Sequence, residues 1–435
     1  MDLADFLILL EEKHALFKIE KKISTNLEIA RVTRFLSKKR NKAFLFKNIK
    51  ESKYPIVTNL FGAKTRISMA IGTKRWSEIY EIGKRLLKTP PKDTIRKHDP
   101  DNFTILSKEQ IDLTLLGNLV QWDKEQNPYI SMANVITKDP KANALNSGIY
   151  RIEVEKPRSL WLYFYKGSDI SKHINHSIYK NSRLLCSIAI GTPTLFNILS
   201  ALKMPKYISE IDAYFLIKER PLKTISFKSY PPAPYTSKFI IFGEIIKSNR
   251  YRSAYFGNFK GIYNKFSSDT IIKPHYLLIS KDALYPASVI STPPSETSLI
   301  FKTVEKLFLP LWQRQMPEIR DVFIPEETGF NQLAIVSLKE DVYDLNAKDI
   351  FYNLRGLDPP FTQNLICLVN SKIDNKTPNK ILRLISGCES KDIFPLETPC
   401  GIGLDLRENN KEKLDIKKDK EIAQDIIKRL GINIR

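Results

Sequence analysis

Between about Leu113 and Ser291 the chain stops repeating like a helix and begins to alternate like a set of strands. Tyr129–Ile136, Ile149–Val154, Leu160–Tyr165, Phe239–Ile245 and Ile272–Ile279 are each rich in β-branched and aromatic residues, and one helical stretch, Pro193–Leu202, interrupts them. Many short strands with so few helices predict a barrel-like β domain.

Both flanks carry the helical period. Asp2 to His14 places Leu3, Phe6, Leu7 and Leu10 at helical spacing, with Asp2 near the start. A second helix is expected from about Asn26, carrying Leu27, Ile29, Ala30, Val32 and Phe35. Ala43–Phe46 and Ile56–Leu60 follow as short strands, then a helix over Ser68–Leu87 ended by Pro90-Pro91. From Pro293 the pattern returns to α/β: a helix over Ile300–Leu309 stopped by Pro310, then strands at Gln332–Leu338 and Leu365–Val369. The closing stretch Lys417–Leu430 sets Ile422, Ile426, Ile427 and Leu430 on one helical face, to pack on its own domain or on another subunit. A chain of 435 residues is long enough for two or three domains. The expected division is an α/β domain at 1–112, a β-barrel domain at 113–292 and an α/β domain at 293–435.

Charge and cysteine usage narrow the classes. Lys and Arg number 69 against 48 acids, a net charge of +21. That balance suits nucleic acid or an anionic membrane surface, yet the lysines are spread along the whole chain and no nucleic-acid-binding motif accompanies them. A solvated basic surface is the expectation, with no specific nucleic-acid partner and with peripheral contact at the inner membrane as a secondary one. No apolar run approaches the roughly 20 residues that cross a bilayer. The opening MDLADFLILLEEKH carries acids where a secretion signal carries bases, which predicts a cytoplasmic chain. Cys186, Cys367, Cys388 and Cys400 form no CxxC pair and the five histidines form no HExxH-type motif.

The stretch Asn146–Gly167, NSGIYRIEVEKPRSLWLYFYKG, carries the chemistry. An Asn carbonyl can ligate a hard cation and an Arg fork can hold a carboxylate or phosphate. The block resembles the N-x-G-[MI]-Y-R turn of the UbiD family of carboxy-lyases. Four more stretches resemble the same family in the same order: DLADFLILLEE…LFKIEKKISTNLEIA, YPIVTNLFG at Tyr54–Gly62, SIAIGTPTLFNILSALKMP at Ser187–Pro205, and TPPSE…LPLWQRQMPEIRDVFIPEETGFNQLAIVSLK ending at Lys339. The resemblance implies an α+β, multidomain chain: a central split β-barrel of the flavin-reductase type between an N-terminal α/β domain and a C-terminal α/β domain with a terminal helix. It also implies prenylated FMN held through a divalent metal (Mn or Mg) and a monovalent cation, a flavin prenyltransferase as cofactor supplier, a small aromatic acid as substrate, and a homo-oligomer.

Carried over residue by residue, the resemblance assigns the metal ligands to Asn146 and Glu210. The family's third ligand, a His, falls at Phe164. Lys166 lies two residues on, where its ammonium can stand in for part of the metal's charge or simply face water. Ile149, Tyr150, Arg151, Leu160, Trp161 and Leu162 match cofactor contacts, although Trp161 can equally fill a core. Arg151 matches the catalytic Arg that orients the substrate carboxylate. The family's two catalytic acids fall on Ser253 and Asn258, in SAYFGNFKGIY. A serine has no useful pKa here and an amide cannot cycle a proton. Glu244 is expected to face outward, and Glu296 has no assigned place at the flavin. Two readings follow: a decarboxylase of a hydroxybenzoate- or naphthoate-type quinone precursor, or a catalytically degenerate UbiD-fold protein that binds flavin or scaffolds an assembly.

Overall fold

The computed structural model describes residues 1–329, 332–339, 345–370, 382, 385–396 and 401–407. The expected helix Lys417–Leu430 lies outside the described residues. A helix covers Leu3–Glu12, where Asp2 Oδ1 accepts the Asp5 N–H at 2.9 Å, and its buried residues are Leu3, Phe6, Leu7 and Leu10. The strands Leu16–Ile19, Ala43–Phe46 and Ile56–Thr58 form a small sheet with the later strand Tyr285–Ala287. The chain therefore returns to its first sheet after completing the barrel. Strands Ile95–His98 and Phe103–Ser107, on the N-terminal side of residue 112, pair with Leu222–Ile225 and Tyr263–Ser280 of the middle segment.

The helix expected over Ser68–Leu87 is broken. Lys64–Ile71 ends at Gly72, whose φ of +101° suits glycine, and the chain resumes as Ile79–Lys84 between two single turns. Pro310 opens a helix, Leu309–Gln315, instead of stopping one; in a first turn its missing N–H has no partner to lose. Asp169–Tyr179 and Glu210–Lys218 are helices that alternation counting overlooked. The first buries only the stripe Ile170, His173, Ile174 and Ser177, too polar for periodicity to reveal.

The central sheet runs in the order Tyr129–Ile130, Arg151–Lys156, Ser159–Tyr163, Tyr263–Ser280, Phe239–Gly257, Leu184–Ile190, Ala133–Lys138 and Leu145–Ile149, all antiparallel, with Phe103–Ser107 added beside Tyr263–Ser280. Its spine is a hairpin of 19 and 18 residues, with irregular register near Gly243 and Lys247 that bends it. The strands at the two ends of this order are joined through single short links. Tyr150 alone connects Leu145–Ile149 to Arg151–Lys156, and Ser131-Met132 connects Tyr129–Ile130 to Ala133–Lys138. Links that short require the sheet to curl until its ends meet. Ile130, Ile152, Val154, Leu160, Leu162, Ile188, Ile190 and Ile241 fill the inside, each side chain contributing roughly 1.5–3 kcal/mol by burial. A five-stranded sheet, in the order Ile319–Phe323, Leu333–Leu338, Leu365–Asn370, Gly401–Asp405, Ile393–Leu396, closes the described chain.

Candidate active site

The seam of the barrel is where the chemistry gathers. Gly148 sits one residue before the strand end, and a Cβ there would stand 2.6 Å from the Tyr150 ring and hydroxyl, so only glycine lets that ring fold back. The turn thus sends Asn146 and Ser147 to one side of the seam and Arg151 to the other. Two adjoining cavities lie along it, of about 420 and 320 Å³, sharing Ile149, Tyr150 and Tyr165 in their walls.

The larger cavity is lined by Asn146, Lys166 and Glu210 among others. The Asn146 amide nitrogen is buried, and its side chain interacts with the neighbouring Tyr150 hydroxyl. Glu210 is the first residue of its helix, capped by Ser209, and its Oε2 accepts the Ser147 N–H at 2.8 Å. Burial pushes its carboxyl up to about 8. No ion pair to Glu210 forms among the described residues. A buried acid, an amide and a lysine ammonium line this cavity together, and the ammonium and amide N–H are groups that can meet a phosphate. Among the described residues no cluster of three or more His, Cys, Asp or Glu could hold a metal. Asn146 and Glu210 offer two oxygens, and Phe164, at the position the resemblance assigns to a third ligand, lines the other cavity.

That second cavity is aromatic, with Tyr129, Tyr163, Phe164, Tyr165, Phe256 and Phe266 in its walls. Arg151 lies over the rings of Phe256 and Phe266 at 4.6 and 5.6 Å, and its Nη2 reaches Gly257 O at 3.4 Å. Burial lowers its pKa, and among the described residues it makes no ion pair. A guanidinium left unpaired in an aromatic slot is built for a planar anion. The aromatic wall is pinned from behind. Glu153, with no exposed surface, accepts from Arg252 Nε and Nη2 at 2.7–3.0 Å, from Tyr163 OH at 2.7 Å and from Asn127 Nδ2 at 2.6 Å.

Several sequence assignments move. Leu160 and Leu162 are fully buried in the barrel interior, and Trp161 donates its indole N–H to Glu155 at 3.1 Å; none lines either cavity. The strand reaches the site only at its far end, through Tyr163, Phe164 and Tyr165. Ser253 is exposed and shares a hydrogen bond with Ser267 at 2.8 Å, because strand alternation turns Ala254 and Phe256 inward and Ser253 out. Asn258 faces an outer cavity with Arg151, but its amide is occupied: Oδ1 accepts from Lys260 and Ile262 N–H at 2.8 and 3.3 Å and Nδ2 donates to Asn264. Glu244 pairs with Arg183 at the sheet surface, as expected. Glu296 is buried, accepting from Phe61 N–H and Ser288 Oγ, and serves the packing between segments.

One functional candidate had no sequence signal. Glu125 lies in a charged run, Asp-Lys-Glu-Gln, that reads as a solvated loop. The fold turns it into the Arg151 cavity.

Three models of the 3-octaprenyl-4-hydroxybenzoate carboxy-lyase match in sequence order. The N-terminal domain matches residues 7–86, the Rift-related domain 94–293 and the C-terminal domain 298–387. The chain therefore belongs to the UbiD family. An uncharacterized protein of Synechocystis sp. is 24% identical, covering 92% of this chain and 85% of its own length. One from Aquifex aeolicus is 28% identical over 82% of this chain and 78% of its own. Among solved structures, the vanillic acid decarboxylase of Sedimentibacter hydroxybenzoicus in closed form superposes with a TM-score of 0.84 at 21% identity, covering 99% of both chains. An evolved dimeric form of the UbiD-class enzyme HmfF from Pelotomaculum thermopropionicum, in complex with prFMN, gives 0.83 at 18% identity, covering 95% and 96%. No helix of the described residues is long and apolar enough to cross a membrane.

Proposed function

We propose that this chain removes CO₂ from an aromatic carboxylic acid of the hydroxybenzoate or naphthoate type, using prenylated FMN. The observation that carries this is Arg151, an unpaired guanidinium in an aromatic slot that adjoins the Asn146–Glu210–Lys166 cavity. The residues present suit the cofactor: a phosphate would meet Lys166, a hard cation such as Mn or Mg would take Asn146 and Glu210 and keep waters elsewhere, and a ring system would lie along Ile149, Tyr150 and the aromatic wall. When bound, prenylated flavin supplies a sink for the electron pair released as the carboxylate leaves. Arg151 grips the substrate carboxylate and sets its plane, and the aromatic wall packs the ring and excludes water. A flavin prenyltransferase would be the supplier. The homo-oligomer expectation comes from the family resemblance, and the closing helix that would serve it lies outside the described residues.

A second reading, a flavin- or ligand-binding UbiD-fold protein without turnover, is favoured by one observation: Ser253 and Asn258, at the family's acid positions, are a surface hydroxyl and a turn-holding amide. Co-expression with a flavin prenyltransferase, followed by native mass and absorbance, separates the readings from a chain with no flavin role. Bound prenylated flavin together with CO₂ release from an aromatic acid supports the first; bound flavin without release supports the second. A folded, colourless chain of apo mass rules out both flavin readings.

A further inference from the structure

We propose that Glu125 is the acid that returns a proton to the ring carbon after CO₂ leaves, taking the place of the carboxyl missing at Asn258; this rests on the carboxy-lyase reading above. Among the described residues Glu125 is the only carboxyl lining the Arg151 cavity. It is held there by its own loop: Oε2 accepts the backbone N–H of Gln121 at 2.6 Å and of Trp122 at 3.2 Å. The loop is clamped in turn. Arg34 stacks on the Trp122 ring at 3.8 Å and donates to Gln121 O at 2.9 Å. Gly257 leaves room for the indole, since a Cβ there would meet Trp122 Nε1 at 2.3 Å.

The charged and titratable groups facing Glu125 come from several elements. Arg34 belongs to the helix Glu28–Lys39 and Arg151 to its strand; both favour the anion, while Tyr129 stands beside it on the cavity wall. Neighbouring Asp123 pairs with Arg31, and Lys124 turns to the Tyr255 and Tyr263 rings at 6.0 and 5.1 Å. Glu153, behind Tyr129, is bound by Arg252 and cannot serve. The net result is that desolvation outweighs the Gln121 and Trp122 N–H bonds and the two arginines and pushes Glu125 up to about 7, where a carboxyl both holds and releases a proton at neutral pH. In the step, the bond between ring carbon and carboxyl carbon breaks and CO₂ departs. The electron pair, eased meanwhile by the sink that the bound cofactor would supply, ends in the new bond between the ring carbon and the Glu125 proton. Water then reprotonates the carboxylate.

Two measurements on Glu125→Gln test this. The first needs no cofactor: infrared difference spectra between pH 5 and 9 on the purified chain. The expected result is a carboxyl band titrating near 7 in wild type and absent from Glu125→Gln. A Glu125 already ionised at pH 6 overturns the proposal. The second uses protein loaded with prenylated flavin and four acids: 4-hydroxybenzoate, 3,4-dihydroxybenzoate, vanillate and 1,4-dihydroxy-2-naphthoate. A loss on the order of 100-fold in kcat in Glu125→Gln, partly restored in Glu125→Asp, supports it. An active wild type matched by Glu125→Gln overturns the Glu125 role and leaves the carboxy-lyase reading standing. A loaded wild type that decarboxylates none of the four overturns that reading and the proton-transfer role with it, even where the infrared band behaves as expected.

Discussion

Ser147 gives its backbone N–H to Oε2 of Glu210 at 2.8 Å, tying the seam of the barrel to the first turn of the helix Glu210–Lys218. The contact joins residues 63 positions apart and sets the Asn146 amide beside a buried acid.

Burial raises the Glu210 carboxyl to about 8 from an ordinary 4.5. An acid raised in the folded state takes up its proton on folding. Its stabilisation is therefore full below about pH 4.5 and is lost as the pH climbs through 8. In chelator, thermal unfolding of the wild type should fall between pH 6 and pH 9, and Glu210→Gln should fall less, a difference on the order of a few kcal/mol. Added Mn should recover the wild type at pH 9 and leave Glu210→Gln unmoved. Equal pH profiles for the two proteins would count against a solvent-shielded Glu210.

Arg151→Met should weaken 4-hydroxybenzoate binding by at least about tenfold in calorimetry, since a charge-assisted bond to a carboxylate contributes about 1.5–3 kcal/mol. Arg151→Lys should recover little, because an ammonium cannot reproduce the fork. Folding stability should hold or rise in Arg151→Met, as an unpaired half-buried charge is removed. Unchanged binding in both variants would show that the anion binds elsewhere.

Arg252→Met strands the fully buried Glu153 carboxylate. Urea denaturation should show a loss of about 3–5 kcal/mol. Replacing both partners with methionine should restore part of it, because no uncompensated charge remains while Tyr163 OH and Asn127 Nδ2 lose their acceptor. A single variant as stable as wild type would mean that solvent reaches Glu153.

Asn258→Ala removes the acceptor of the Lys260 and Ile262 N–H groups and should cost about 1–3 kcal/mol. Asn258→Asp keeps both acceptors, loses only the donation to Asn264, and should stay within about 1.5 kcal/mol of wild type. Ser253→Glu, at an exposed strand position, should stay within about 0.5 kcal/mol and should leave decarboxylation unchanged. A rise in activity on Ser253→Glu would mean that the strand turns its other face to the site.

Much was legible in the chain alone. Local alternation revealed the strands, and the apolar stripe Leu3, Phe6, Leu7 and Leu10 revealed the first helix, because each signal lies within a few neighbouring residues. The NSGIYR turn pointed to Asn146 and Arg151 through its resemblance to the family's turn, since an Asn and an Arg around a glycine read on their own as a polar loop. Tertiary structure decided the rest. Which face of Ser159–Tyr163 meets the cavity, and whether Ser253 points in or out, depends on strand register, where one residue of slip inverts every side chain. Glu125 is invisible in sequence because an acid in a polar loop looks solvated. The fold half-buries it on the wall of the Arg151 cavity, beside a loop that Arg34 and Gly257 hold from distant segments, and such desolvation leaves no local pattern to read.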